Sequence, residues 1–549
     1  MNERAEQKRW GMARVIGASS AGTAFEWYDF FIFGSLALTI QKVFFAGLNP
    51  TAGLIAALGL FAAGFAFRPL GAIIFGVIGD RLGRKGAFLA TVSLMGASTF
   101  AIGLLPTYAT AGILSPILLI LLRICQGIAL GGEYGGAAIY VAEHAPNKSR
   151  GFATGWIQVT ASLGLIAGLL VILATRSNVG EEAFLAWGWR IPFLFSFLLL
   201  IVSVWLRYKL SESPAFTKLK EEGDISHSPL RESFAQWSNL KRVLIAFFGI
   251  MCAQGAVWYC AFFYVQVFLT KSLGVPEPTK DMLVLAMTIA SAPFYVIFGW
   301  LSDRIGRKPV MLGGMLLALF AYFPGFHAIA AAANPALAEA QERRPVDVYT
   351  DRATCSVQFD PVGTRQFTTA CDIAKSYLAS TGISYRSLPS ADERTIVAVG
   401  QHQIDIQDGR NLDPASLKAL KDSTGKQIKA ALVAENYPEK ADPVRIDTTK
   451  LFLWMMVFAI AATALYGPQA AALVEMFPTR IRYTAMSLPY HVGTGWVGGF
   501  LPVTSFALAA ITGNIYSSLW YPFIFTLISV IVTLVFVHET KGKPLDHIH

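Results

Sequence analysis

Apolar residues run along this chain in long blocks and not in the short alternations of a soluble core. Twelve blocks of about seventeen residues or more fall near 14–40, 52–79, 87–106, 112–142, 152–175 and 191–207, then near 243–270, 282–302, 310–333, 451–475, 483–510 and 515–537. Each is long enough to cross the hydrocarbon core as a helix at 1.5 Å per residue. The pattern breaks once, over residues 334–450, where polar and charged residues dominate. It predicts an all-α membrane fold of twelve helices with a small α+β domain between helices 9 and 10. The expected divisions are 1–208 as a first six-helix bundle, 209–242 as a linker, 243–333 and 451–538 as the second bundle, 334–450 as the inserted domain and 539–549 as a tail.

Charge fixes the expected orientation. Only 15% of the residues are charged, against about 25% in a soluble protein. The net charge of +9 suggests nucleic acid only if the basic residues cluster, and here they are spread over short loops. The N-terminus, the C-terminus and the connections after even-numbered spans hold 23 Lys and Arg, whereas the short loops after odd-numbered spans hold five. By the positive-inside rule both termini are expected in the cytoplasm and residues 334–450 outside. The basic start before the first apolar block resembles a signal peptide, but that block continues to Ile40 and carries Glu26 and Asp29, so it reads as a retained span. Cys355 and Cys371 lie in the polar stretch and are the candidate disulfide; Cys125, Cys252 and Cys260 lie in apolar blocks.

Two motifs recur. Gly76-x-x-x-Asp80-Arg81-x-Gly83-Arg84-Lys85 returns as Gly299-x-x-x-Asp303-Arg304-x-Gly306-Arg307-Lys308 at an offset of 223, and Glu143-x-x-Pro146-x-x-x-Arg150 returns as Glu475-x-x-Pro478-x-x-x-Arg482 at an offset of 332. The difference of 109 residues matches an insertion in the second half, where the polar stretch lies. Two parallel six-helix repeats are the architecture of a carrier that rocks about a site near mid-membrane.

The doubled loop resembles the signature of the major facilitator superfamily. Glu26-Trp27-Tyr28-Asp29-Phe30, Arg68-Pro69-Leu70-Gly71, Arg123-x-x-Gln126-Gly127 with Gly131-Gly132-Glu133, Trp189-Arg190-Ile191-Pro192-Phe193 and Glu212-Ser213-Pro214 look like its metabolite:proton symporter family. That family includes carriers of 2-oxoglutarate, citrate, shikimate and proline/betaine. The resemblance covers nearly everything except residues 334–450. It implies that Asp80, Arg81, Gly83 and Arg84, with Asp303, Arg304, Gly306 and Arg307, latch the cytoplasmic side when the carrier faces outward.

Charges inside apolar blocks are the sharper functional signal. Each costs about 2.5 to 3.5 kcal/mol at the bilayer centre, so they must pair or line a wet path. Glu26, Asp29, Arg68, Arg123 and Glu133 qualify. A carboxyl that takes and releases a proton needs a cation competing for its charged form, so Asp29 with Arg123 is the first expected coupling pair and Glu26 with Arg68 the second. The bland alternative is a permanent structural ion pair. Glu133 sits about 80° off the stripe of Arg123 and Gln126 at 100° per residue and joins the coupling candidates less directly. Arg68 and Arg123 are also the candidates for a substrate carboxylate. The second half supplies Gln254, Trp258, Tyr259, Tyr295 and Gln469 as the opposite wall, with His491 a further proton candidate nearer the cytoplasmic end.

Within 334–450, strands are expected at 355–360, 395–399 and 403–407 and helices at 367–380 and 414–434. No metal spacing, phosphate loop or nucleophile constellation appears there, so neither cofactor nor enzyme activity is expected. The expected partners are protons, the bilayer and a small carboxylate, and not nucleic acid. The expected function is proton-coupled import of an organic acid across a bacterial inner membrane, with proton-driven export or a transporter-like sensor as alternatives.

Overall fold

The computed structural model describes residues 2–46, 60, 64–208, 212–356, 367–390 and 394–545. The first half contains α1 (Asn2–Ser35), α2 (Arg68–Arg81), α3 (Arg84–Leu104), α4 (Leu114–His144), α5 (Arg150–Val179) and α6 (Arg190–Tyr208). Most of the segment expected to begin span two lies outside the described residues. Two short linker helices, Pro214–Glu222 and Pro229–Ala235, lead to α7 (Trp237–Ser272), α8 (Glu277–Ile305) and α9 (Arg307–Ala333). Among the described residues nine helices are long and apolar enough to cross a membrane.

The helices pack through small residues. A side-chain carbon on Gly71 of α2 would collide with the backbone of Ile128 in α4, and one on Gly131 of α4 with the backbone of Arg68 and Ala72. This mutual contact explains the glycines of both motifs, since backbones approach this closely only where no Cβ intervenes. Sequence gave no warning that α7 is interrupted by π turns at Phe247–Met251, Cys260–Tyr264 and Phe268–Ser272. Such turns often sit at functional positions.

Between α9 and α13 (Thr448–Val474) come α10 (Pro335–Arg343), β1 (Val346–Thr350), α11 (Ala370–Ser380), β2 (Tyr385–Pro389), β3 (Thr395–Val399), β4 (His402–Ile406) and α12 (Pro414–Ala434). The sheet order is β2-β1-β3-β4, with β1 parallel to β2 and antiparallel to β3, and β3 antiparallel to β4. The expected strand at 355–360 is a correction in part: Cys355 and Ser356 are not in a strand, and residues 357–360 lie outside the described residues. Sequence reading missed β1 and β2. β1 alternates buried and half-buried positions, the signal a one-faced strand leaves; β2, with its exposed Arg386 and terminal Pro389, shows little of it.

Cys355 and Cys371 are disulfide-bonded, spanning 16 residues. The sheet-bearing segment is stitched to the second bundle by backbone: Tyr385 N donates to Gly513 O at 2.6 Å, Ala441 N to Gly274 O at 3.1 Å and Asp447 N to Ala332 O at 3.0 Å. These acceptors lie at the ends of α7, α9 and α15 (Leu501–Thr512). After α13 the chain continues through α14 (Arg482–His491), a π segment at Val492–Gly498, α15 and α16 (Trp520–Phe536).

Candidate functional site

At the end of the molecule away from the sheet, the doubled motifs build two matching joints between the halves. Asp80 accepts from Tyr483 N and Thr484 N at 3.2 and 2.8 Å, so an α2 carboxylate caps α14 of the opposite half. Asp303 accepts from Gly151 N and Phe152 N at 2.9 and 2.7 Å, so an α8 carboxylate caps α5. A carboxylate at a helix N-terminus satisfies orphan N–H groups and meets the positive end of the helix dipole. Arg84 and Arg307 each pair with their own aspartate at 2.6 Å. Glu143 pairs with Arg482 at 2.7 Å, and Glu475 with Arg150 at 2.6 Å and Arg307 at 3.2 Å. All of these guanidinium groups are buried.

The glycines are required by backbone. Gly83 and Gly306 sit at φ +115° and +113°, and a side chain at either would also run into a carboxylate, that of Glu212 or of Glu539. Those carboxylates accept from the first N–H groups of α3 and α9. Two members of the expected latch stand apart. Arg81 is exposed and donates to His227 O of the linker, while Arg304 is exposed and lies over the Trp300 ring at 4.1 Å. They follow the aspartates by one residue, which turns them off the inter-half face.

Deeper in the bundle the expected ion pairs do not form. Glu26 pairs with Arg207 and not with Arg68. Arg207 ends α6 and was counted with the loop charges, yet it is 1% exposed and lies over the Phe88 ring at 3.7 Å. Asp29 has no ion pair with Arg123: its Oδ1 has no hydrogen-bond partner, and the side chains it faces are Thr99 and Ser196. Arg123 instead donates to Gln126 Oε1 at 2.7 Å and lies over Phe33 at 4.1 Å; Gln126 passes the chain on to Thr99 Oγ1 at 2.7 Å. The reason is phase: spacing along one helix says which residues share a face, but not which neighbour that face meets. Glu133 lies in α4, and the placement of its side chain is outside the described residues.

Arg68 is 1% exposed and makes no ion pair among the described residues; its Nε and Nη2 have no hydrogen-bond partner. Its guanidinium lies 4.2 Å from the Phe65 ring centroid, 4.6 Å from Phe30 and 5.9 Å from Trp27. The second half meets the cage through Tyr259, whose ring lies 5.7 Å from that of Phe65. Tyr466 and Tyr490 share a hydrogen bond of 2.9 Å, and Trp258 Nε1 donates to Tyr295 Oη at 2.9 Å. Trp258 stacks near Tyr466 at 6.2 Å, which ties the expected Trp258, Tyr259 and Tyr295 into one wall. Gln254 and Gln469 are buried on α7 and α13. His491 is buried, with neither ring nitrogen partnered.

Residues 19–337 match the Major Facilitator Superfamily. The chain belongs to that superfamily. Residues 431–549 match the Sugar (and other) transporter family within the same fold. The chain is 39% identical over 317 residues to the proline/betaine transporter of Salmonella typhimurium, covering 56% of this chain and 63% of that one. It is 36% identical to the shikimate transporter of Escherichia coli K12, over 58% of this chain and 73% of that one. It is 36% identical to the alpha-ketoglutarate permease of Escherichia coli K12, over 56% of this chain and 69% of that one. The chain thus spans less than two thirds of the proline/betaine transporter's length. The solved proton:xylose symporter XylE bound to 6-bromo-6-deoxy-D-glucose shares the fold, with a TM-score of 0.61 at 15% identity over 98% of both chains.

As a major facilitator transporter, the chain is a multi-pass membrane protein and not an enzyme. Sequence reading missed Arg207, Glu539 and the placement of His491. Glu539 repeats the role of Glu212 after the last helix, and a search for that second copy would have found it.

Proposed function

We propose that the protein is a proton-coupled symporter that imports a small carboxylated metabolite by alternating access. The observation that carries this reading is Arg68, a buried guanidinium with two unpartnered N–H donors inside an aromatic cage drawn from both halves. A guanidinium offers a carboxylate two parallel donors that an ammonium cannot match. The rings exclude water from that contact and strengthen it. A side-chain carbon on Gly495 of the second half would lie 4.0 Å from Arg68 Cδ, so a ligand held here touches both halves and favours their closing around it. The relatives named for proline/betaine, shikimate and alpha-ketoglutarate transport all bear a carboxylate in those substrates, in keeping with this reading.

Asp29 is the proton carrier in this account. It is a buried carboxyl outside any ion pair among the described residues, and a charge held so is costly unless it is neutralised. Glu26 is committed to Arg207 and serves structure. The motif end is cytoplasmic with both termini, the sheet-bearing segment 334–450 lies in the periplasm, and the membrane is a bacterial inner membrane.

The test is ligand binding to purified protein. Arg68→Lys keeps the formal charge but loses the paired donors, and should weaken a carboxylated ligand by on the order of 10- to 100-fold. Binding of that ligand unchanged in Arg68→Lys, or tight binding of a neutral sugar in its place, removes Arg68 from the substrate site.

A further inference from the structure

The chain does not leave the motif end after α16. Glu539 accepts from Arg307 N and Lys308 N at 2.9 and 3.0 Å, as Glu212 does for α3. Beyond that point the two halves differ. Ser213 accepts from Phe216 N at 3.1 Å and begins a linker helix. Thr540 instead donates to Glu475 Oε2 at 2.7 Å.

The backbone then crosses the seam. Arg150 Nη1 donates to Lys543 O at 3.3 Å, and Arg482 Nη2 and Thr479 Oγ1 donate to Leu545 O at 3.3 Å. Arg150 and Arg482 are the repeated arginines of the Glu-x-x-Pro-x-x-x-Arg motif, one from each half. Both therefore donate to carbonyls two residues apart on one strand of tail. Leu545 packs against the core and helps line a cavity of about 620 Å3 that also takes Ala145, Leu219 and Ile481 from the first half, the linker and the second half.

The two joints differ in the same sense. Glu475 has both oxygens bonded, Oε1 by Arg150 and Arg307 and Oε2 by Thr540 and Arg307. Glu143 has Oε1 bonded to Arg482, while Oε2 has no partner. We infer that residues 540–545 are a bolt across the seam, and that their release is a step in opening the motif end. Glu539 and Lys541 anchor the strap on the second half, Lys541 through Arg304 O. Arg150 cannot move off with the first half while it donates to a strap fixed to the second. Opening must break the Arg150 contact with Lys543 O, a hydrogen bond from a charged donor, while the Thr540–Glu475 and Arg482–Leu545 contacts hold the strap in place from the second half.

A reporter placed at the seam tests this. Ser487 is buried on α14 where that helix meets Gly135 of α4. In the Ser487→Cys background, labelling of that position by a membrane-impermeant maleimide, applied at the motif side of vesicles and read by peptide mass spectrometry, is compared across three changes. The chain ended after Glu539 should label about tenfold faster, as loss of one or more charged hydrogen bonds implies. Thr540→Val should raise the rate by a smaller factor. Lys541→Ala, which frees one anchor of the strap, should also raise it by a smaller factor. Parent-rate labelling in both the shortened chain and Thr540→Val, with each eluting as folded protein, overturns the bolt. If the shortened chain fails to fold, Thr540→Val alone decides.

Discussion

Arg68 and Asp29 are both buried and, among the described residues, both outside any ion pair, yet their environments differ and the proposal gives them different tasks. Arg68 is ringed by aromatic faces that attract its cation and leave its Nε and Nη2 without a hydrogen-bond partner, which is what the proposed carboxylate site asks of it. Asp29 faces hydroxyl groups, which can hydrogen-bond its charged or its protonated form. Asp29→Asn, neutral at every pH, should therefore abolish proton-driven accumulation while leaving substrate exchange across the membrane partly intact. Counterflow and gradient-driven uptake measured on the same vesicles check this, and wild-type accumulation by the Asn variant would release Asp29 from coupling. At this scale the sequence shows which charges lie within apolar blocks, because an ionisable residue there stands out. It did not reveal their partners. Arg207 looked like a loop charge because it ends its span, and only the fold brings it beside Glu26.

Among the elements, the loops that join α2 to α3 and α8 to α9 carry the most legible information, since their spacing repeats and every motif glycine and aspartate has a geometric reason. The π turns of α7 were not legible, because one inserted residue per turn leaves the apolar pattern of a buried helix unchanged. Gly83→Ala forces a side chain into φ +115° beside Glu212 and should cost about 1 to 3 kcal/mol. Thermal unfolding in detergent should show a lowered midpoint for Gly83→Ala and little change for Gly86→Ala, where no atom lies within 4 Å of the added carbon. Equal midpoints for the two would remove the carboxylate-facing glycine from the argument.

The molecule as a whole joins two pseudo-repeats through paired joints at one end and carries a sheet on the second repeat at the other. The length mismatch between repeats located that extra segment from sequence alone; how it docks was not legible, because its ties to α7, α9 and α15 are main-chain hydrogen bonds that no side-chain pattern announces. An impermeant thiol reagent added outside cells should label Cys355, the half-buried member of the disulfide, only after reduction. Labelling only from the cytoplasmic side would reverse the proposed orientation. The most direct test of the whole account is transport by purified protein in vesicles, with labelled proline, shikimate and 2-oxoglutarate offered in turn under an imposed inward proton gradient. Proton coupling through Asp29 predicts accumulation of at least one of these carboxylates above its equilibrium level, abolished by a protonophore and by Asp29→Asn; uptake that only equilibrates whatever the gradient, or accumulation undiminished in the Asn variant, would contradict it.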